Sequence, residues 1–253
     1  MHMSRIQVSV VIPAFNEGLR LPAFVEDIAR LASEASAPPV EFLVVDDGSS
    51  PDHLARHEEA VERARAVLAG SGSPHAVRLL REGRNRGKGA AIRSGWRQSD
   101  PQSGWLGFVD GDGAVPAREV WRLVGLLDPR RFDLLAGARI RMAGHRVERS
   151  LVRHLQGRVF ATFAEQIIPN GFYDTQCGIK FAAAARLRAC LEALAETRWL
   201  LDLELITLLQ RAGARCVEEP IDWSDPGGSK VVPLLDPLKM LLGLLRLRRR
   251  LLA

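Results

Sequence analysis

Apolar segments of two kinds alternate along the first half of the chain. Ile6–Ile12 is a short apolar run that predicts a strand, and Leu19–Leu31 has apolar residues at helical spacing. Strands that alternate with helices predict a mostly parallel sheet covered by helices, an α/β fold. The same patterns predict further strands at Val40–Val45, Ala76–Leu80, Trp105–Val109 and Phe132–Ala138, and helices from Pro51 to about Leu68, at Gly87–Gln98 and at Pro116–Leu127.

The second half of the chain is less regular. Val147–Ile168 has amphipathic spacing and predicts a long helix, and Tyr173–Phe181 predicts a polar loop that enters a strand. No repeat, low-complexity tract or clear linker interrupts the sequence, so we expect one domain over residues 1–253. The remaining predicted elements are helices at Ala183–Leu194 and Leu201–Ala212, a short strand at Cys216–Glu219 and a Leu-rich basic helix from Pro233.

The composition is that of a folded protein. Of the 253 residues, 47% are apolar and 26% are charged, which argues against general disorder. Three cysteines (Cys177, Cys190 and Cys216) are widely spaced and odd in number, which fits neither a disulfide framework nor a zinc site and favours a reducing cytoplasm. No apolar run approaches the roughly 20 residues needed to span a bilayer. We therefore expect neither a membrane span nor a signal peptide.

The net charge of +5 is modest, but arginines and lysines cluster in two stretches, 139–158 and 239–250. They are interpreted either as solvated helix faces or as surfaces that meet phosphate, on a substrate or on lipid headgroups. Nucleic acid is a less favoured partner, because aromatic residues do not interleave with these cations.

Two acidic motifs directly follow predicted strands. Asp110-Gly-Asp112 can present two carboxylates to one hard cation, although such a triplet is also a common turn. Asp46-Asp47-Gly-Ser can cap the next helix or can bind a base or ribose, as acidic residues after strands do in nucleotide-binding folds. Ligands bind at the carboxyl ends of strands in such sheets, so both motifs predict a site there.

Three further polar segments suggest binding chemistry. The loop Asn85–Gly89 can offer backbone N–H groups and the Lys88 cation to an anion, but its spacing differs from that of an ATPase phosphate loop. Asp174–Lys180 is a dense polar run that could also be a simple turn. Asp202 and Glu204 stand at a helix start, where carboxylates also complement the helix dipole.

The order of these motifs resembles that of the inverting family 2 glycosyltransferases, and the match covers roughly Val8 to Arg248. The later segments resemble one branch, the dolichyl-phosphate β-glucosyltransferases. The first set of motifs is Pro13–Glu17, Asp46–Ser49, Asn85–Gly89 and Asp110–Asp112; the later set is Asp174–Gly178, Arg198–Trp199 with Asp202 and Glu204, and Trp223 followed by Gly228-Ser229-Lys230.

The resemblance implies a GT-A fold, a divalent cation (Mg²⁺ or Mn²⁺) and a nucleotide-sugar donor, with UDP-glucose favoured over GDP-mannose. It divides the chain into a nucleotide-sugar-binding half at about 5–138, an acceptor-binding half at about 139–232 and a C-terminal amphipathic basic helix at about 233–253. By motif match, the nucleotide-sugar residues are Pro13, Phe15, Glu17, Asp46, Asp47, Gly87, Lys88, Asp110 and Gln176; the metal residues are Asp110 and Asp112; the acceptor-phosphate residues are Arg139, Arg149, Arg153, Ser229 and Lys230; and the catalytic residues are Asp112, Asp202, Glu204 and Arg139.

The implied acceptor is a polyprenyl or dolichyl phosphate at the cytoplasmic face of a membrane. A phosphate is largely a dianion at neutral pH and needs little help from a general base, so Asp202 and Glu204 are expected to orient the sugar, and to act as a base only if the acceptor is a hydroxyl. Eukaryotic relatives carry an N-terminal membrane anchor, and none is expected here. The Leu-rich basic C-terminal helix is the candidate for peripheral docking, and a core helix with a charged tail is the other interpretation.

Three other functions are weighed against this one. A family 2 transferase could act on a hydroxyl acceptor, such as a small metabolite or a glycan. A nucleotidyltransferase would carry a glycine-rich loop after the first strand, where this chain has Pro13–Glu17 instead. A non-catalytic peripheral membrane module would not need Asp110, Asp112 and Asp202 at loop ends.

Overall fold

The computed structural model of the chain describes residues 7–35, 37–148, 161–225 and 235–252. Its centre is a seven-stranded sheet with the strand order β3-β2-β1-β4-β7-β5-β8. Only β7 runs antiparallel to its neighbours β4 and β5; the other paired strands of this sheet are parallel. The strands are β1 (Val8–Ala14), β2 (Val40–Asp46), β3 (Ala76–Arg81), β4 (Trp105–Val109), β5 (Leu134–Ala138), β7 (Ile179–Ala183) and β8 (Cys216–Pro220).

Helices cover both faces of this sheet. Alternate residues of a strand point to opposite faces, and accordingly Val10 packs in one apolar cluster while its neighbour Val11 packs in another. The first cluster includes residues of α1, α2 and α4, and the second includes residues of α3, α5 and α6. The helices are α1 (Leu21–Leu31), α2 (Pro51–Gly70), α3 (Lys88–Arg97), α4 (Ala117–Gly125), α5 (Ala184–Cys190), α6 (Leu201–Arg211) and α7 (Leu235–Leu252). The mostly parallel, helix-covered sheet expected from the sequence is confirmed.

A third apolar cluster attaches the C-terminal helix α7 to the rest of the molecule. Leu244 and Leu247 of α7 are fully buried against residues of α6 and of the helical segment 161–167. The other buried members of this cluster are Ala164, Ile168, Leu200 and Leu203. One face of α7 is therefore part of a core, as one of the two interpretations of this helix expected.

The predicted helix over Val147–Ile168 is wrong at its start. Val147–Glu148 forms a short strand, β6, that pairs in parallel with β9 (Trp223–Ser224) in a separate two-stranded sheet. Trp223 N–H donates to the carbonyl of Arg146 and Asp225 N–H donates to that of Glu148. Amphipathic spacing cannot reveal a pairing with a segment about 75 residues away in sequence, which is why the pattern misled. Residues 149–160 lie outside the described residues, and 161–167 are helical.

The other predicted elements agree with the structure to within a few residues. The largest difference is at Ala183–Leu194, where α5 ends at Cys190. Among the described helices, none is both long enough and apolar enough to cross a membrane.

Candidate active site

The loops after β1 and β2 are joined to each other by hydrogen bonds. Asn16 adopts a left-handed backbone conformation (φ 53°), which Asn tolerates better than most residues. Its N–H donates to Ser49 Oγ (2.9 Å), and its Oδ1 accepts from the N–H of Ser50 (2.9 Å). These contacts hold the motif after β1 beside the Asp46–Ser49 motif after β2.

Asp46 is buried and fully engaged with the protein. Its Oδ1 accepts from the N–H groups of Gly48 and Ser49, and its Oδ2 lies 2.8 Å from His57 Nδ1 on α2. Burial opposes ionisation of Asp46, but the hydrogen bonds from His57 and Ser49 outweigh it and lower the pKa of this carboxyl group. In this structure Asp46 therefore shapes the loop that follows β2.

Asp47 holds the glycine-rich loop that precedes α3. Its Oδ1 accepts from the N–H of Arg86 (2.7 Å) and its Oδ2 from the N–H of Gly87 (2.8 Å). Burial is the largest influence on Asp47 and raises its pKa. This carboxylate places the N-terminus of α3, and with it Lys88, at the carboxyl edge of the sheet.

The same loop packs closely against a segment from the second half of the chain. Gly87 has φ 101°, and a Cβ on Gly87 or Gly89 would overlap the backbone at Thr197. The Thr197 carbonyl also accepts a hydrogen bond from the N–H of Ala90 (3.1 Å). Glycine is required at both positions because a larger residue would push the two backbones apart.

Lys88 pairs with the first carboxylate of the Asp110–Asp112 motif. Lys88 Nζ lies 2.6 Å from Asp110 Oδ1 and 5.2 Å from the centroid of the Phe108 ring. Burial alone would lower the pKa of Lys88, but the carboxylates of Asp110, Asp202 and Asp112 outweigh it and raise this pKa. The lysine therefore stays charged at the end of β4, beside three carboxylates.

The two carboxylates of that motif have different surroundings. Asp110 is packed against Gly178, where a Cβ would overlap its carboxylate, and its N–H donates to the Gly178 carbonyl (2.8 Å). Asp112 is partly exposed, and its Oδ1 accepts from the N–H of Ala114 (3.0 Å). Carboxylate oxygens are the ligands that Mg²⁺ and Mn²⁺ prefer, so this donor set fits such a cation.

No group of three or more His, Cys, Asp or Glu side chains is arranged to hold a metal among the residues that the structure describes. Magnesium is commonly bound by only one or two carboxylates together with water and substrate phosphates. Two carboxylates such as those of Asp110 and Asp112 therefore fit a cation of this kind.

Arg139, at the end of β5, is committed to Asp174 by a two-point contact. Its Nε and Nη2 lie 2.6 and 2.7 Å from the Asp174 carboxylate, and its N–H also donates to that carboxylate (3.0 Å). Burial opposes ionisation of both groups, but the pairing raises the pKa of Arg139 and lowers that of Asp174. The guanidinium also lies over the Trp223 ring, 5.5 Å from its centroid.

Two side chains of the polar run after Asp174 have buried polar atoms that lack a hydrogen-bond partner among the described residues. Thr175 Oγ1 and Gln176 Nε2 are both buried without a hydrogen-bond partner in the described structure. Cys177 is fully buried, and burial raises its pKa to about 12, so its thiol is unreactive at neutral pH. Unpaired buried polar atoms are rare, and at the edge of a site they mark positions that a ligand can satisfy.

Asp202, at the start of α6, forms a buried ion pair with Lys180 of β7. Lys180 Nζ lies 2.5 Å from Asp202 Oδ1 and donates to the Cys177 carbonyl (2.8 Å), and only 1% of the Lys180 residue is exposed. Lys180 ends the polar run Asp174–Lys180, and this pairing with Asp202 is not predicted from the sequence. A charged residue within the otherwise apolar strand Ile179–Ala183 was the available signal.

Glu204 does not take part in the Lys180–Asp202 pair, and its predicted sugar-orienting role stays a prediction. Its carboxylate accepts from the N–H groups of Ala195 and Glu196 and pairs with Arg250 of α7 (2.5 Å). Residues two apart on a helix point about 200° apart, so the Asp202 and Glu204 side chains leave α6 in different directions.

The remaining predicted residues divide into two groups. Pro13 is buried at the end of β1, Phe15 is exposed, and Glu17 makes a two-point contact with Arg20 (2.7 Å for each bond). Four predicted acceptor residues lie outside the described residues: Arg149, Arg153, Ser229 and Lys230.

A mostly parallel sheet whose strand ends carry acidic motifs beside a glycine-rich loop is the arrangement in which α/β folds bind nucleotides. The sequence profile described as "Glycosyl transferase family 2" matches residues 9–190, and the chain belongs to this family of glycosyltransferases. The expectation from the order of the motifs is thereby confirmed.

Two individual glycosyltransferases are similar to almost the whole chain. The chain is 27% identical over 257 residues to a dolichyl-phosphate beta-glucosyltransferase of Dictyostelium discoideum, covering 98% of this chain and 76% of that protein. It is 31% identical over 254 residues to the Homo sapiens protein of the same name, covering 96% of this chain and 75% of that protein.

A solved structure supports the fold independently. Glucosyl-3-phosphoglycerate synthase from Mycobacterium tuberculosis, in complex with Mg²⁺ and uridine diphosphate, matches with a TM-score of 0.62 at 18% identity. The match covers 96% of this chain and 79% of that one. At this identity the likeness shows the fold alone, and the GT-A expectation is confirmed.

Proposed function

We propose that this glycosyltransferase moves a hexose, glucose from UDP-glucose, onto a polyprenyl or dolichyl phosphate at the cytoplasmic face of a membrane. The main observation in support of this proposal is the charged cluster at the carboxyl edge of the sheet, where Lys88, Asp110 and Asp112 lie beside Asp202. The names of the curated relatives support the acceptor and the sugar. Residues of about 5–138 would bind the donor, and those of about 139–232 the acceptor.

Asp110 and Asp112 would hold Mg²⁺ or Mn²⁺, as the Mg²⁺ and uridine diphosphate in the related fold suggest. A bound cation of this kind neutralises charge on the diphosphate leaving group. Lys88 adds a fixed positive charge at the same place, which also stabilises a departing diphosphate. The loop that Asp47 holds through the N–H groups of Arg86 and Gly87 would place the N-terminus of α3, with Lys88, beside the donor phosphates.

The sugar and nucleoside would contact groups around this cluster. Gln176 has a buried Nε2 without a protein partner and can donate to the donor. Phe15 and Pro13 stand at the end of β1, where a nucleoside can pack, and Asp202 is held in place by Lys180 to orient the sugar.

Arg139 would bind the acceptor phosphate. A guanidinium has five N–H donors, so the two-point contact with Asp174 leaves donors for a second anion. An acceptor phosphate placed behind the sugar C1 attacks without a general base because it is already a dianion, and in-line attack inverts the anomeric centre. Arg149, Arg153, Ser229 and Lys230 remain proposed partners of this phosphate.

Membrane docking would use the exposed side of α7 together with its neighbours. Large apolar side chains are exposed there beside arginines. Their neighbours in sequence, Ala164, Leu200 and Leu244, are buried and pack together in the third apolar cluster. Aromatic residues and arginines suit the boundary of an anionic membrane. This basic-apolar face consists of Phe163, Trp199, Leu242 and Leu245 with Arg246, Arg248 and Arg249.

Vesicle flotation tests the docking. Leu242→Glu combined with Leu245→Glu should lower the partition onto vesicles of phosphatidylglycerol and phosphatidylcholine about tenfold. The reason is that two exposed leucines would no longer insert into the bilayer. Val67→Glu, at an exposed apolar site on α2, is the matched control and should bind as the wild type does. Equal binding by all three proteins would contradict the docking face.

The reaction is tested by a matrix of donors and acceptors. UDP-glucose and GDP-mannose are each offered with a polyprenyl phosphate and with hydroxyl acceptors, and the released nucleotide is identified. Glucosyl transfer to the lipid phosphate with release of UDP is expected. Transfer only to a hydroxyl acceptor would favour the alternative, in which Asp202 is the general base, and mannosyl transfer would overturn the donor assignment.

Two variants test the assigned residues. Asp112→Asn should abolish turnover that depends on Mg²⁺ or Mn²⁺, and near-normal turnover by this variant in EDTA would refute the metal role. Arg139→Ala should raise the acceptor KM much more than the donor KM, because of the two substrates its cation would contact only the acceptor. Equal increases in both would contradict that assignment.

A further inference from the structure

The carboxylate of Glu204 joins α6 to the segment just before it and to the C-terminal helix α7. Only 1% of Glu204 is exposed, and its carboxylate accepts from the N–H of Ala195 (3.1 Å) and the N–H of Glu196 (2.8 Å). Arg250 of α7 lies 2.5 Å from Glu204 and 3.2 Å from the Glu196 carboxylate. The segment just before α6 is thereby fixed between α6 and the C-terminal helix.

That fixed segment rests directly on the glycine-rich loop. The Thr197 carbonyl accepts from the N–H of Ala90, and the Thr197 backbone lies so close to Gly87 and Gly89 that neither position has room for a Cβ. Lys88 stands between these two glycines and reaches Asp110. A shift of the Thr197 segment would therefore move the loop that presents Lys88.

The energetics of this contact depend on Arg250. A carboxylate removed from water is costly unless it is paired and hydrogen-bonded, and Glu204 has two backbone donors and one cation. Without the cation, a buried negative charge would be left beside the 195–197 backbone. The segment would then relax outward to hydrate the carboxylate.

We propose that Glu204, held by Arg250, is a positioning residue for the donor diphosphate, acting through the 195–197 segment and the Gly87–Gly89 loop. The identity of the ligand, a donor diphosphate, rests on the proposed function. The coupling between Arg250, the 195–197 segment and the glycine-rich loop does not depend on that function. It also makes the last turns of α7 part of the support of the donor site. Glu204 has no contact with the reacting groups in this assignment.

Arg250→Met is the principal test, since 40% of the Arg250 side chain is exposed. Hydrogen exchange of peptides covering 84–91 and 194–200 should become faster in this variant. The Kd of UDP with Mn²⁺, measured by calorimetry, and the donor KM should each rise about tenfold, because small misplacements of binding groups are costly. The acceptor KM should stay at the wild-type value.

Three further variants sharpen the result. Glu204→Gln keeps an acceptor for the backbone but loses the ion pair, and should match Arg250→Met. Arg250→Lys restores a cation and should recover part of the UDP affinity. Arg97→Met is the matched control, because it breaks an exposed arginine–glutamate pair with Glu192 on the same side of the sheet.

The outcomes separate the two proposals. Unchanged exchange in both peptides, or a UDP Kd in Arg250→Met equal to that of Arg97→Met, would overturn the positioning role. A wild-type protein that binds no UDP, while exchange responds to Arg250→Met as expected, would instead overturn the proposed donor.

Discussion

Asp110 is confined by two neighbours that limit where its carboxylate can point. Lys88 pairs with one oxygen, and the absence of a side chain at Gly178 makes room for the other. The sequence singled out Asp110 and Lys88 from their motifs, but only the structure shows that they contact each other. Gly178 lies in the polar run Asp174–Lys180, and the sequence does not predict its contact with Asp110.

Gly178→Ala should displace the Asp110 carboxylate and reduce kcat about 100-fold, because misplacement of a group by about 1 Å can cost that much. The added methyl group would overlap that carboxylate, whereas the backbone of Gly178 is otherwise compatible with alanine. Steady-state kinetics with the best donor and acceptor measure the effect. Gly70→Ala, where a Cβ meets no atom within 4 Å, is the control, and equal activity in both variants would refute the packing argument.

Asp174 should make the stability of the protein sensitive to acid. Its folded-state pKa is lowered by Arg139, so it contributes stability above its unfolded pKa of about 4, and this contribution is lost as pH falls through the folded value. Asp174→Asn leaves Arg139 without its partner and should cost about 3 kcal/mol at neutral pH. Urea unfolding from about pH 7 to pH 3 should show the wild type converging on the variant; a constant difference would contradict this assignment.

At the scale of elements, the alternation of strands and helices was correctly predicted through β5. The place of β7 was not predictable, since an antiparallel strand between β4 and β5 depends on pairing with residues more than 40 positions earlier. This insertion brings Gly178 and Lys180 beside the ends of the parallel strands. The mistaken start of the 147–168 helix has the same origin, because β6 exists through its pairing with β9.

The ion pair between Lys180 and Asp202 ties β7 to α6 and should show strong coupling. Either Lys180→Met or Asp202→Leu alone should destabilise the fold by about 3–5 kcal/mol, because each leaves its partner without full compensation in a buried position. Lys180→Met combined with Asp202→Leu should recover much of that loss, as apolar replacements of buried pairs often do. Additive losses, measured by denaturant unfolding, would show that the two residues act independently.

At the scale of the whole molecule, the acidic edge of the sheet is assembled from both halves of the chain. Asp47, Lys88 and Asp110 come from the first half, whereas Asp174 and Asp202 come from the second. The segment at Thr197 and the helix α7 support this edge from outside. A ligand bound there should therefore stabilise the fold as a unit.

Addition of UDP with Mn²⁺ should raise the Tm, since a ligand that binds only the folded state stabilises it by mass action. At 100 times its Kd the gain is about 2.7 kcal/mol. Differential scanning fluorimetry with UDP, GDP and no nucleotide measures the shift, and the larger shift should come from UDP. A shift with GDP alone would point to the other donor class.

The sequence by itself determined the periodicity of the strands and helices, the glycines of the loops and the acidic residues at the strand ends, because these are local properties of a chain. It was also enough to predict the family. Tertiary structure decided which charges meet: Lys88 with Asp110, Arg139 with Asp174, Lys180 with Asp202, and Glu204 with Arg250. Partners separated by 22 to 46 positions become neighbours only through the packing of the sheet and its helices, and so local patterns could not show that Glu204 contacts the 195–196 backbone and α7.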